Sequence, residues 1–288
     1  MKRQNTNNKS QIRNPKSEIS NRKSAIQNPK SQIEENPVLF VGAGPGDPEL
    51  ITVKGQKALK EADVVIYAGS LVPEELLQWT RSGIRKISSA SMHLEEIITE
   101  IQNAYADGKR VVRLHTGDPS LYGAIHEQMA ELTKREIPYK IIPGVTAAFA
   151  AAAALGIEYT LPEVSQTLIL TRMAGRTPVP ARENLASLAK HQTSMAIYLS
   201  MSVIDEVSKI LCDAYGENSR CAVVYRVSQP EEKIILTSLK ELAARVAAEK
   251  ITKQALVIAG KVLAIGPDEL KYKSKLYDKK FKHGCRNY

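Results

Sequence analysis

Val38-Leu-Phe-Val-Gly-Ala-Gly-Pro-Gly-Asp-Pro48 is the stretch that decides how this chain folds. An apolar run entering glycines at 42, 44 and 46 reads as a buried strand that ends in a tight loop, the usual opening of an α/β fold. A dinucleotide-binding turn is the first candidate, and its chemistry is wrong. The spacing is GxGxG where the fingerprint needs GxGxxG, so the third glycine comes one residue early for helix–strand packing. Asp47 and Pro48 put a carboxylate and a missing N–H where a pyrophosphate needs amide donors. The next strand ends Tyr67-Ala-Gly-Ser70, with no acid to hold a ribose. A nicotinamide enzyme is thereby disfavoured, while a turn that merely needs glycine φ angles stays open.

Outward from this stretch, short apolar runs alternate with helical patterns, the signature of a mainly parallel α/β architecture. The pattern predicts strands over 38–42, 64–67, 111–115 and 140–142, with helices over 52–62, 94–106, 122–135 and 147–155. Pro162 lies in the best linker. Beyond it, strands are expected over 167–171, 195–200, 222–227, 233–237 and 255–262, with helices over 182–189, 203–214 and 239–249. The expected domains are an N-terminal lobe over 37–162 and a C-terminal lobe over 163–268, with tails at 1–36 and 269–288. A small ligand is expected between the lobes or at the carboxyl ends of the strands. The first tail repeats every seven residues, with Asn-Pro-Lys-Ser at 14–17 and again at 28–31. One isoleucine per heptad, interrupted by Pro15 and Pro29, cannot sustain a coiled coil, so disorder is expected there.

The formal charge of +9 raises the question of nucleic acid, and its distribution answers it. Residues 1–37 hold eight Lys/Arg against three Glu, and residues 271–288 hold seven against Asp278 alone, which leaves −2 for residues 38–270. Basicity belongs to the ends, so no nucleic-acid partner is expected of the folded part. No run of eighteen apolar residues and no apolar leader occurs, so neither a membrane span nor secretion is expected, and a cytoplasmic location is. Cys212, Cys221 and Cys285 are odd in number and far apart, which suggests neither a disulfide framework nor a metal site.

Three further junctions carry chemistry. Arg113-Leu-His-Thr-Gly-Asp-Pro-Ser-Leu-Tyr-Gly123 is a second strand running into a Gly-Asp-Pro loop. Its Asp118 fits a cationic ligand or the cap of the following helix, and His115 fits a core histidine equally well. Ile142-Pro-Gly-Val-Thr146 leads into an alanine-rich helix, with Thr146 placed as N-cap and free first-turn N–H groups suited to a carboxylate. Thr171-Arg-Met-Ala-Gly-Arg-Thr-Pro-Val-Pro180 is a Pro-rich loop whose Arg172 and Arg176 suit a polycarboxylate or simply face solvent.

The order of these segments is more telling than any one of them. GAGPGDPELITVKG and ADVVIYAGSLVP between 38 and 73, MHLEE at 92–96, HTGDPSLYGAIHEQ at 115–128, PGVTAAFAAAAA at 143–154 and LTRMAGRTPVP at 170–180 together resemble the tetrapyrrole methylase family over about residues 37–265. The MHLEE and TRMAGRTPVP segments narrow the resemblance to members that methylate carbon 11 of precorrin-4 or its cobalt chelate on the route to cobalamin. The resemblance implies two αβα lobes, a homodimer, a corrinoid substrate, and S-adenosylmethionine in the cleft between lobes. By the same resemblance the cofactor-binding positions are Pro45, Thr116, Gly117, Asp118, Leu121, Tyr122, Thr146 and Ala147 in the first lobe. In the second they are Leu199, Ser200, Val227, Ala255 and Leu256. His93, Arg113, Arg172 and Arg176 are the candidates to orient substrate carboxylates. No metal ligand set or catalytic triad is evident, and none is required for an electron-rich ring carbon. Some relatives carry Asp where Gly69 stands here, so either Asp47 or a substrate carboxylate does that acid/base or orienting work, or no protein base is needed at all. The alternatives are a sibling methylating another corrin carbon or uroporphyrinogen, an RNA- or protein-modifying methylase, and a corrinoid carrier.

Overall fold

The computed structural model describes residues 36–266 together with Asp268, Ser274, Lys275, Phe281 and Lys282. Apart from Asn36 and those isolated positions, the two expected tails lie outside the described residues, as does Cys285.

The chain builds two five-stranded sheets, the first ordered β3-β2-β4-β1-β5 and the second β6-β7-β10-β8-β9. In the first, β1 (Val38–Gly42), β2 (Val64–Tyr67), β3 (Arg85–Ser88), β4 (Val111–His115) and β5 (Tyr139–Ile142) are all parallel. The period-two alternation of a strand sends Val38, Phe40, Val64, Ile66 and Val111 to one face and Val41, Val65, Val112 and Leu114 to the other. Helix α1 (Val53–Glu61) covers the second of these faces, and α2 (Leu94–Ala106) and α3 (Ile125–Lys134) cover the first. Thr52 starts α1 by accepting from Gly55 N–H at 3.1 Å, so the expected start was correct to a residue. Helix α2 matches its expected span. Helix α3 begins later than expected because Tyr122 and Ala124 adopt left-handed φ values of 57° and 49°, which no helix continues. Strand β3 was not foreseen: Arg-Lys-Ile-Ser has little apolar content and is a strand because it pairs with β2 at the sheet edge.

The expected mainly parallel architecture holds for the first sheet and for the first two strands of the second, and the rest of the second sheet departs from it. Strands β6 (Leu168–Arg172) and β7 (Ser194–Tyr198) are parallel, but β10 (Ala255–Ala259) runs antiparallel to β7 and to β8 (Arg220–Tyr225). β8 and β9 (Lys233–Ser238) form an antiparallel hairpin, as their short connection permits and a parallel crossover would not. One face of this sheet packs on α5 (Leu185–Ala189), α6 (Ile204–Tyr215) and α7 (Leu242–Ala248). The other face takes α4 (Ala147–Leu155), whose Ala148, Ala150 and Ala151 rest on Ala196, Ala222, Val224, Leu256 and Ile258. The alanine run therefore lets a helix that follows the first sheet lie close against the second.

Candidate functional site

β4 and β1 are adjacent in the first sheet, and their connecting helices α3 and α1 leave on opposite faces, the arrangement that opens a crevice beyond the strand ends. Three loops converge there. Gly44 N–H donates to Gly117 O at 3.2 Å and Gly117 N–H to Gly44 O at 2.8 Å, while Ala43 N–H donates to His115 O at 2.7 Å. A Cβ on Gly42 would lie 2.6 Å from Gly117 O, and one on Gly144 2.1 Å from the same oxygen. The loops after β1, β4 and β5 thus meet backbone on backbone, which only glycine allows. Asp118 stitches two of them together: its Oδ2 accepts from Gly144 N–H at 2.9 Å, and its Oδ1 from Ser120 N–H at 2.8 Å and from the Ser120 hydroxyl. Burial alone would raise this carboxyl, but those hydrogen bonds outweigh it and hold it below the usual carboxylate range. Its cap-like bonds go to Ser120 and Gly144, and α3 begins seven residues on without a side-chain cap bond.

The second sheet closes over these loops. The Tyr198 hydroxyl hydrogen-bonds Thr146 Oγ1 at 2.7 Å and accepts from Ala148 N–H at 3.0 Å. Thr146 holds the N-cap position of α4, but its side chain makes no cap bond, and the tyrosine from the other sheet caps the helix instead. Burial is the main reason the Tyr198 hydroxyl is pushed above its ordinary pKa, so it stays protonated. Its ring lies 5.5 Å from that of Tyr122, on the Gly-Asp-Pro loop. Further ties cross the cleft: Asp47 N–H donates to Ser228 Oγ at 3.0 Å, Gln229 Nε2 to Pro45 O at 3.1 Å, and Gln254 Nε2 to Ser70 O at 3.3 Å. Leu199, Arg226, Ser228 and Gln254, all at the ends of second-sheet strands, hold φ values of 51°, 44°, 64° and 56°. Such left-handed non-glycine residues cost energy and collect where a site is being shaped. Between the sheets lies a cleft of about 720 Å³, walled by residues 46–48 and 69–75 with Gln78 on one side and by Arg226, residues 228–231 and Gln254 on the other.

Most of the expected first-lobe positions come together. Pro45, Thr116, Gly117 and Asp118 lie in the converging loops, Tyr122, Thr146 and Ala147 lie beside Tyr198, and Leu121, next to Tyr122 in the chain, is half-buried. In the second lobe, Leu199 is 64% exposed next to Tyr198, an apolar side chain left open to solvent. Val227, Ala255 and Leu256 are buried at the adjoining strand ends. Ser200 is buried within the second lobe, accepting from Met173 N–H at 2.9 Å and donating to Tyr198 O at 2.7 Å, so its hydroxyl supports the strand end.

The expected substrate cations fare differently. Arg113 corrects its reading as a substrate contact: strand alternation turns it to the α2–α3 face, where it is 5% exposed and donates to Gln128 Oε1 and Ile66 O. Burial pushes its pKa down to about 10. Beside it, burial lowers His115 to about 3; it is a core histidine at 4% exposure, but not a satisfied one, since its Nε2 has no hydrogen-bond partner among the described residues. His93 opens α2, with its N–H on Glu96 and its Nδ1 2.9 Å from Glu95, and it does not line the cleft. Arg172 spends donors on Thr177 O at 3.1 Å and Pro178 O at 2.6 Å, folding its own loop, while Arg176 is exposed at the tip. Asp47 does line the cleft, but one oxygen already accepts from Glu49 N–H at 2.8 Å. At Gly69 a Cβ would fall 2.1 Å from Ser88 Oγ, so this chain fills with a serine the space a side chain there would need. Tyr198, Arg226, Ser228, Gln229 and Gln254 were not foreseen. Their part in the site depends on contacts across up to 184 residues of chain, which no local pattern signals.

Comparison with known proteins fits this geometry. The chain matches the family of Tetrapyrrole (Corrin/Porphyrin) Methylases over residues 37–243. It is 56% identical over 250 residues to the cobalt-precorrin-4 C(11)-methyltransferase of Methanocaldococcus jannaschii, covering 86% of this chain and 95% of that protein. It is 47% identical over 227 residues to the precorrin-4 C(11)-methyltransferase of Pseudomonas aeruginosa, covering 79% and 90%. Among solved structures, a cobalt precorrin-4 methyltransferase superposes with a TM-score of 0.77 at 46% identity, covering 79% of this chain and 95% of that one. A Thermus thermophilus uroporphyrin-III C-methyl transferase complexed with S-adenosyl homocysteine superposes at 0.66 with 27% identity, over 79% and 93%. With its glycine loops, its paired sheets and a match spanning most of its length, the chain belongs to the tetrapyrrole methylase family.

Proposed function

We propose that the protein transfers a methyl group from S-adenosylmethionine to carbon 11 of precorrin-4 or cobalt-precorrin-4. The observation that carries this reading is the 56% identity, over nearly the whole length of the relative, to an enzyme of that name. The residues present fit the donor: beyond the backbone cradle at Gly42, Gly117 and Gly144, Tyr122 is exposed on the same Gly-Asp-Pro loop, and exposed Leu199 adjoins Tyr198, whose ring lies against that of Tyr122. When bound, the donor supplies a methyl on a positively charged sulfur that an electron-rich ring carbon can take directly.

The chain's own contribution is placement, which is worth up to about 7–11 kcal/mol of barrier. Asp118 holds the loops after β4 and β5 at a fixed separation. Tyr198 holds α4 and the Gly-Asp-Pro loop against the second sheet, so cofactor-side and substrate-side walls keep one register. Thr116, Gly117, Tyr122, Thr146 and Ala147 are read as donor contacts, with Leu199, Val227, Ala255 and Leu256 as the facing wall. Asp47 is read as part of the substrate wall, and its capping bond to Glu49 suits a fixed orienting carboxylate better than a mobile base. A homodimer, which the family resemblance suggests, and a cytoplasmic location, the ordinary place of a biosynthetic enzyme, belong to the same proposal. No described helix is long and apolar enough to cross a membrane.

Incubation of the purified chain with S-adenosylmethionine and, separately, precorrin-4 and cobalt-precorrin-4 tests the reading. The expected result is S-adenosylhomocysteine together with a macrocycle heavier by one CH₂ at carbon 11. Absence of transfer to both macrocycles, with uroporphyrinogen accepted instead, overturns it in favour of the sibling activity.

A further inference from the structure

The cleft between the sheets carries a charge pattern that its own shape does not require. Its ionisable lining comprises Asp47, Glu74, Glu75 and Glu231 against a single cation among the described residues, Arg226. A tetrapyrrole acid bears carboxylates around its rim, so a wall of this kind repels it everywhere but at that cation.

Arg226 is held for such a task. Its Nε donates to Gln254 Oε1 at 2.9 Å, its guanidinium lies 5.6 Å from the centre of the Tyr225 ring, and its backbone N–H donates to Gln254 O at 2.9 Å in the left-handed conformation. Gln254 also reaches across the cleft to Ser70 O, so the head group is aimed from the point where the two walls are tied. The remaining face of the guanidinium meets Glu231, with Nη1 3.3 Å from the carboxylate. That partner is the looser of the two, 59% exposed against 30% for Arg226. A half-exposed ion pair on one long contact is worth at most about 1 kcal/mol, so a ligand carboxylate arriving with two-point geometry can replace it.

We propose that Arg226 anchors one peripheral carboxylate of the tetrapyrrole, and that Glu231 is the internal counter-ion this carboxylate displaces. The inference deepens the proposed function and rests on its tetrapyrrole substrate. It assigns the orienting cation to the β8–β9 connection, where neither Arg172 nor Arg113 can supply it. It also makes a prediction of opposite sign for the two members of one pair: losing Arg226 weakens macrocycle binding, whereas neutralising Glu231 strengthens it.

The test uses the full chain and a stable octacarboxylate tetrapyrrole, uroporphyrin III, as binding probe, read by its fluorescence. S-adenosylhomocysteine affinity is measured alongside as a check on the fold. The expected result is that Arg226→Gln raises the uroporphyrin Kd at least about tenfold, the scale of one lost charge-assisted contact. Glu231→Gln should lower the Kd severalfold, the double variant should resemble Arg226→Gln, and all three should bind S-adenosylhomocysteine within about twofold of the parent. Uroporphyrin affinity unchanged by Arg226→Gln overturns the proposal, as does weakening by both single variants, which is what a merely structural pair would give, or no binding to the parent chain. Parent protein that binds uroporphyrin through Arg226 but methylates neither precorrin-4 nor its cobalt chelate would sink the carbon-11 reading and leave the anchor standing.

Discussion

Replacing Asp118 with Asn asks whether the convergence of the three loops is what makes the donor site. The carboxylate accepts from Ser120 on one oxygen and from Gly144 N–H on the other. An asparagine has one oxygen and one NH₂, so in either orientation one of those N–H groups faces a donor. A hydrogen bond to a charged acceptor contributes about 1.5–3 kcal/mol, and the half-exposed setting puts the loss near the lower end, about 1.5–2 kcal/mol. If that cost falls on the loop arrangement that receives the donor, S-adenosylhomocysteine affinity drops about 10–30-fold. Calorimetric titration of the parent and Asp118→Asn proteins measures it, and thermal melting should show a drop of a few degrees. The sign with pH follows from the lowered carboxyl pKa: the stabilisation is present above the ordinary aspartate value near 3.8 and is lost as pH falls through the lower folded-state value, so the difference between the two proteins should shrink in strong acid. If the Asp118→Asn protein binds S-adenosylhomocysteine within about twofold of the parent and melts at the same temperature, the carboxylate is not what holds the loops together.

Three other perturbations have defined outcomes. Tyr198→Phe leaves the fully buried Ala148 N–H without its acceptor, an expected loss of about 1–3 kcal/mol, softened if Thr146 turns back to cap α4; a urea midpoint equal to the parent's would show that the tyrosine ties nothing. Gly144→Ala drives a Cβ to 2.1 Å from Gly117 O, where backbone meets backbone, so donor affinity should fall at least about tenfold by titration. Gly175→Ala, its control, meets nothing within 4 Å and should change stability by less than about 0.5 kcal/mol. His115, lowered from 6.5 to about 3, is neutral in both folded and unfolded chains at pH 7.5; below pH 6.5 the unfolded chain takes up a proton that the folded one refuses. Stability should therefore fall by about 2 kcal/mol between pH 7.5 and 5 on this account, and His115→Phe, stacked on Phe40, should flatten that acid limb in denaturant titrations.

What could be read from the amino-acid order was local. Short apolar runs at 38–42, 64–67 and 111–115 marked the central strands, the apolar spacing of 94–106 marked α2, and Thr52 marked the start of α1, because each depends on neighbours within a turn or two. The glycines at 42, 117 and 144 were visible as loop formers, and the order of their motifs pointed to the family. The rest came from long-range packing. It made Arg-Lys-Ile-Ser a strand by offering an edge to pair with, and it set β10 antiparallel to its neighbours, since strand direction depends on where the chain returns and not on residue pattern. It also turned Arg113 into the core and spent Arg172 on its own loop. The alanine helix was legible as smooth, but only packing showed that the second sheet occupies that smooth face. Tyr198 lies 52 residues from Thr146 and Gln229 lies 184 from Pro45. Partners so distant are brought together by sheet register and by the fold of the intervening chain, and hydrophobic periodicity carries no record of either.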